Sequence, residues 1–138
     1  MRALVCLVLV LGCLGSGSWA GETEQAAARA VISRQAEAFG RDDASTAYAQ
    51  AAPAIREIFP NPDLFLGMVR NQYKPVYRHR SFVFGSARDL GETSVSQSVA
   101  IQDEYGTDWT AEYTLERQQD GEWRITGCRL VKAPGISA

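Results

Sequence analysis

Apolar residues recur along this chain first at helical and then at strand spacing, with the change falling near residue 76. Ala28, Val31, Ile32, Gln35 and Phe39 share one helical face while Glu24, Arg29, Arg34 and Glu37 lie elsewhere, which predicts a helix over 22–39. Gly40 follows as the expected left-handed stop. Ala44, Ala47, Tyr48, Ala51, Ala52 and Ile55 resume helical spacing, and Pro53 is expected to reset the chain into a short turn over 54–59. Asn61-Pro62-Asp63 then opens a third helical stretch with the stripe Phe65, Met68, Val69, Gln72 and Tyr73, which Lys74-Pro75 closes.

The second half alternates. VYRHRSFVF (76–84) is β-branched and aromatic, bounded by Gly85 and a turn over 88–92. In TSVSQSVAIQD (93–103), Val95, Gln97, Val99 and Ile101 face one way and Ser94, Ser96, Ser98 and Ala100 the other. WTAEYTLER (109–117) sets Trp109, Ala111, Tyr113 and Leu115 against Thr110, Glu112, Thr114 and Glu116. Asp120-Gly121 is a hairpin signal, and EWRITGCRLV (122–131) puts Trp123 and Ile125 on one face. Helices followed by hairpin-linked strands predict an α+β domain: N-terminal helices packed on a four-stranded antiparallel sheet with its other face in water. One conflict of register stands out. Arg78 and Arg80 share parity with Phe82 and Phe84, so this strand needs a bulge or is an exposed edge.

The acidic pair Asp42-Asp43 poses a choice between a catalytic dyad and a helix cap. A side-chain oxygen is wanted there by the first free amides of the next helix, and a carboxylate suits the positive end of its dipole. Adjacent residues at a helix start point in different directions and so rarely share a proton. Capping is therefore the expectation.

The amino terminus, MRALVCLVLVLGCLGSGSWA, changes the picture of destination. One arginine, an apolar run over 3–14 and the small residues before Gly21 have the layout of a secretory signal peptide, cleaved after Ala20. The run is shorter than the ~20 residues that span a bilayer, so the mature chain is expected to hold no transmembrane segment. Leu11-Gly12-Cys13 offers a lipoprotein cleavage as the alternative. The expected product is one domain over 21–138, periplasmic or secreted. Removing residues 1–20 takes Arg2 and no acidic residue, moving the formal net charge from −2 to −3. That balance speaks against nucleic-acid binding, which needs a concentrated positive field. Cys6 and Cys13 leave with the leader, so Cys128 has no partner for an internal disulfide and reads as a small buried hydrophobe.

The chain resembles the bacterial domain-of-unknown-function family 4864, within the nuclear transport factor 2-like cone fold. The resemblance rests on Ile32…Gln35…Ala38-Phe39…Asp42-Asp43…Ala47-Tyr48…Ala51…Pro53…Ile55…Phe59, then Pro62…Phe65…Met68-Val69 and Tyr73…Pro75-Val76-Tyr77-Arg78. It ends on Tyr113-Thr114-Leu115 and Asp120-Gly121…Trp123-Arg124-Ile125…Gly127-Cys128. It implies a curved sheet wrapped by helices in an exported bacterial protein, and it implies no reaction. Cone folds often enclose a pocket and often dimerise through the sheet, so a homodimer is a further expectation. Isomerases of this fold use an acidic side chain inside the cone, whereas the acidic residues here fall at turns, at strand ends or on the polar strand faces.

What remains for chemistry is a set of polar residues on apolar faces. Gln35 and Gln97, with Tyr48 and Tyr113, are the candidate ligand-binding set, against the bland reading that they satisfy one another or the backbone. His79, the single histidine, stands in the basic run Arg70, Lys74, Arg78, His79, Arg80 and is expected to be solvated. A lone histidine makes no zinc site, and no dinucleotide, P-loop, zincin or serine-hydrolase motif occurs within 21–138, so no metal or cofactor is expected. The functional expectation is a non-catalytic module for a small apolar ligand or a protein partner. The alternative is a lyase or isomerase using tyrosine or His79 in the cone.

Overall fold

The computed structural model describes residues 19–134. The leader therefore lies outside the described residues except for Trp19 and Ala20, as does Cys13. Five helices, α1 (Trp19–Gly40), α2 (Ala44–Ala49), α3 (Pro53–Ile58), α4 (Pro62–Gln72) and α5 (Lys74–Tyr77), precede four strands. The strands β1 (His79–Gly91), β2 (Ser94–Asp103), β3 (Asp108–Arg117) and β4 (Trp123–Lys132) pair antiparallel in sequence order. Helices on one face of an antiparallel meander are the α+β arrangement expected. Among the described residues, no helix is long and apolar enough to cross a membrane.

α1 buries the predicted stripe, with Ala28, Ile32 and Phe39 almost fully enclosed, against the inner side chains Val95, Val99, Ala111 and Leu115. Its end differs from expectation. Gly40 stays helical, and the left-handed residue is Asp42, with φ 55°. Asp43 N bonds Ala38 O (2.9 Å) and Asp42 N bonds Phe39 O (3.1 Å), the paired bonds of a Schellman stop. Aspartate tolerates that backbone region better than most residues, and here its carboxylate accepts from Arg78 Nη2 (3.0 Å), Arg70 Nη2 (3.4 Å) and the Tyr77 hydroxyl. Asp43 is the N-cap of α2 and accepts from Thr46 N (3.1 Å) and Thr46 Oγ1 (2.7 Å). The acidic pair thus ends one helix and starts the next.

The helical spacing through Ile55 hides a break. Pro53 restricts Ala52 to extended backbone (φ −67°, ψ 158°), and residues 50–52 leave the helix to bond the outer edge of β4. Ala52 N donates to Ile125 O (2.8 Å) and Ile125 N to Gln50 O (2.9 Å), around a parallel bridge between Ala51 and Ile125. Pro53 opens α3 from its first turn, and Asn61 caps α4 by accepting from Leu64 N (2.9 Å). The strand expected from residue 76 begins later, because Pro75 in its first turn allows one further helical turn, α5, that buries Val76.

Both resolutions of the β1 register hold. β1 is an edge strand, and it is bulged: His79 pairs with Asp103 and Ser81 with Gln102, leaving Arg80 as the extra residue. A second shift, between Phe84 and Ala87, carries the strand past Gly85, where it was expected to end. Gln97 holds that bulge. Its Nε2 faces the carbonyls of Ser98 (2.8 Å), Gly85 (3.1 Å) and Ser86 (3.3 Å). Its Oε1 accepts from Arg29 Nε (3.0 Å), which fastens α1 to the sheet.

Three aspartates are held below the ordinary carboxylate range: Asp42 chiefly by the Tyr77 hydroxyl, Asp43 by the Thr46 hydroxyl and Asp103 by the Trp109 indole. A lowered folded pKa means that the unfolded chain binds more protons in acid. Stability from these groups is therefore present above about pH 4 and lost as pH falls through and below that range. Urea midpoints measured across this acid range are expected to fall less steeply for Asp42→Asn and Asp103→Asn than for the unaltered protein; parallel curves would contradict these assignments.

Candidate functional site

The helical layer does not fill the whole inner face of the sheet. Between α1, α3, α4 and the β3–β4 half lies a cavity of about 290 Å³. α1 contributes Gln35 and Phe39, α3 contributes Ile55, and α4 contributes Phe65, Met68, Val69 and Gln72. Phe59, Tyr73 and Val76 close the helical side, and Tyr113, Ile125 and Cys128 form the floor. Phe65 anchors the apolar wall, its ring centroid 6.1 Å from Phe39 and 6.2 Å from Phe59. Ile58, one turn after Ile55, is 70% exposed and Leu64, one turn before Met68, is 54% exposed, so the flanking surface of α3 and α4 is apolar as well.

A bulge shapes the floor. Thr114 pairs with Gly127 and Leu115 with Ile125, so Thr126 is the extra residue of β4 and both Ile125 and Cys128 turn inward. A Cβ on Gly127 would stand 3.1 Å from Thr114 Oγ1, so a larger residue would press on β3 at this point. The Thr126 hydroxyl donates to Thr114 Oγ1 (3.1 Å), and Tyr73 OH donates to Cys128 O (3.1 Å).

Among the described residues, no Asp, Glu, Lys, Arg or His stands in the wall. The titratable groups there are Tyr73, Tyr113 and Cys128, and each is held in its neutral form. Burial pushes the Cys128 thiol up to about 12, despite a hydrogen bond from Tyr113 that favours the thiolate. Burial likewise raises Tyr113 well above the usual phenol range and raises Tyr73. The cavity offers hydrogen bonds and apolar surface, with no group poised to exchange a proton near neutral pH.

The candidate set divides. Gln35 and Tyr113 both line the cavity. Gln35 is 5% exposed and its Nε2 donates to Ala47 O (3.1 Å). Gln97 and Tyr48 are not in the wall. Gln97 is spent on the β1 bulge, and Tyr48 sends its hydroxyl to Phe59 O (2.6 Å) with its ring 5.8 Å from Phe65, bracing the wall from behind. Cys128, Tyr73 and Met68 also line the cavity, outside the four-residue candidate set. Regular alternation would put Cys128 on the face opposite Ile125, and only the bulge at Thr126, set by pairing with β3, brings both inward.

His79 is half-buried. Its Nδ1 lies 3.2 Å from Val76 O and its ring 5.0 Å from Phe82, in a separate hollow between α1 and β1 that also takes Glu37 and Arg78. The basic run is no single patch either, because Arg70 and Arg78 turn onto Asp42 and Tyr77, with the Arg78 guanidinium 3.9 Å from the Tyr77 ring. A polar hollow on the outer sheet face, with Arg88, Glu112 and Arg129, rests on a single layer of structure. Among the described residues, no three His, Cys, Asp or Glu side chains gather as a metal site would require.

Residues 21–138 match the family described as Domain of unknown function (DUF4864). The chain is also similar to a solved NTF2-like protein of unknown function from Shewanella baltica OS155, with a TM-score of 0.55 and 12% identity over 83% of this chain and 97% of that one. At that identity the likeness shows the fold alone. No curated protein matches the chain.

The neutral interior makes Cys128 a slow nucleophile. Alkylation by iodoacetamide at pH 8 is expected to run ~100-fold or more slower in the native protein than in urea, because so little thiolate is present. Its rate should keep climbing with pH beyond 10. Rapid native labelling with a plateau near pH 8 would contradict the assignment.

Proposed function

The chain belongs to the DUF4864 family, a domain of unknown function with an NTF2-like fold, and on that premise we propose that it is a non-catalytic module that binds a small apolar ligand in its cone. One observation carries the reading: a cavity of about 290 Å³ whose wall is apolar and whose few titratable groups are held neutral. That volume lies at the lower end of ligand sites, which begin near ~300 Å³. Gln35 and Tyr113 are the ligand-facing pair, while Gln97 and Tyr48 act from behind, fixing the β1 bulge and the end of α3. A lyase or isomerase would need a base in the cone with a pKa near neutrality. His79, the single histidine, stands in another hollow.

The expected behaviour is specific uptake of p-xylene. Its titration should shift the backbone amide resonances of Tyr113, Ile125 and Cys128, with a Kd below about 1 mM. Val69→Phe, which fills the wall, should weaken binding at least ~10-fold while the protein stays folded. Shifts confined to the outer sheet face, or unchanged binding by Val69→Phe, would count against the reading.

We further propose that the protein is exported. The layout of residues 1–20, basic start, short apolar core and small residues before the cut, supports cleavage after Ala20. Mass spectrometry of the chain made in a Gram-negative host is expected to find Gly21 as the mature amino terminus. A lipid-modified Cys13, or an uncleaved chain, would refute that.

A further inference from the structure

The cavity wall narrows what it can accept, and this step rests on the binding reading above. A carboxylate, phosphate or ammonium entering it would leave water for a site with no counter-charge among the residues that line it. The wall is nonetheless not wholly apolar. Gln35 is 5% exposed, and Ala47 O can bond only the amide nitrogen, so the orientation of the side chain is fixed and Oε1 is left over. Among the described residues, that oxygen accepts no hydrogen bond. That oxygen is not among the enclosed atoms left without a partner, so it opens to solvent, and a ligand that supplies a donor takes the place of water there.

The size of the guest follows from volume. A cavity of roughly 150 Å³ holds one benzene ring, so about twice that space suits two fused rings or a branched chain of roughly ten to twelve heavy atoms. We propose that the cavity takes an uncharged, largely apolar molecule of this size carrying one hydroxyl or N–H group, which donates to Gln35 Oε1. The donor end lies at the α1 wall, and the apolar body packs on Phe65, Met68 and Val69. The exposed Leu64 and Ile58 extend that apolar surface outward and suit the passage of such a molecule.

Four matched probes test this by calorimetric titration: naphthalene, 1-naphthol, 1-methoxynaphthalene and 1-naphthoate. The unaltered protein should bind 1-naphthol about ten-fold tighter than naphthalene or 1-methoxynaphthalene, one hydrogen bond's worth, and 1-naphthoate most weakly. Gln35→Met keeps the bulk and removes the acceptor. It should erase the about ten-fold preference while leaving naphthalene within about two-fold, because the apolar wall is untouched. Equal binding of 1-naphthol and 1-methoxynaphthalene by the unaltered protein overturns the proposal without any variant. So does a preference that survives in Gln35→Met, or tight binding of 1-naphthoate. If naphthalene binds but 1-naphthol gains nothing, the donor claim fails and the binding module stands. If none of the four binds, the cavity reading fails with it.

Discussion

Two backbone hydrogen bonds decide the shape of the interior. Gln50, Ala51 and Ala52 leave the helical layer and attach to Ile125 on the free edge of β4. An unpaired strand edge is a liability, and this short parallel seam covers part of it. It also fixes where α3 begins, and with it the positions of Ile55 and Phe59 above the sheet. With α3 hung on β4 and α1 fastened through Arg29 to Gln97, the helices span the sheet without collapsing onto its β3–β4 half. The seam carries a cost: Gln50 Oε1 is buried with no hydrogen-bond partner among the described residues.

Bulges do the complementary work in the sheet. Extra residues at Arg80 and near Ser86 re-aim side chains along the β1 edge, and the one at Thr126 does so in the cavity floor. Two polar residues on apolar faces then take different roles. Gln97, fully buried, stabilises a bulge; Gln35, on the cavity wall, keeps one carbonyl oxygen uncommitted. The electrostatic outcome is consistent throughout. Charged groups sit outside, as in the cluster of Asp42, Arg70 and Arg78, or, as at Asp103, are buried with both carboxylate oxygens hydrogen-bonded, while the phenols and thiol in the cavity are held neutral by burial.

Much of this was legible in the sequence because it depends on periodicity. The face of α1, the stripe of α4 and the alternation of β2 and β3 are local patterns, and the structure follows them. The acidic pair was legible as capping, though not as the stop of one helix and the start of another, because the left-handed role of Asp42 depends on Arg78 and Tyr77, 35 or more residues away. The departure at 50–52 was hidden for the same reason: its partner is Ile125, and local spacing still read as helix. Asking which polar residues lie on apolar faces pointed to Gln35 and Tyr113, which line the cavity, and to Gln97 and Tyr48, which do not. That question could not separate a glutamine facing a cavity from one holding a bulge, since both break the pattern alike. The phenols of Tyr73 and Tyr113 meeting at Cys128 also required long-range geometry.

A guest can enter only if the interior is open, apolar and accessible between Phe39, Met68 and Tyr113. Diffraction from crystals held under xenon tests it most directly, because this uncharged, polarisable atom settles in apolar cavities of this kind. Ordered xenon within van der Waals distance of those three side chains is the predicted result. Xenon found only elsewhere, with Phe39 and Met68 packed directly on Tyr113, would contradict it.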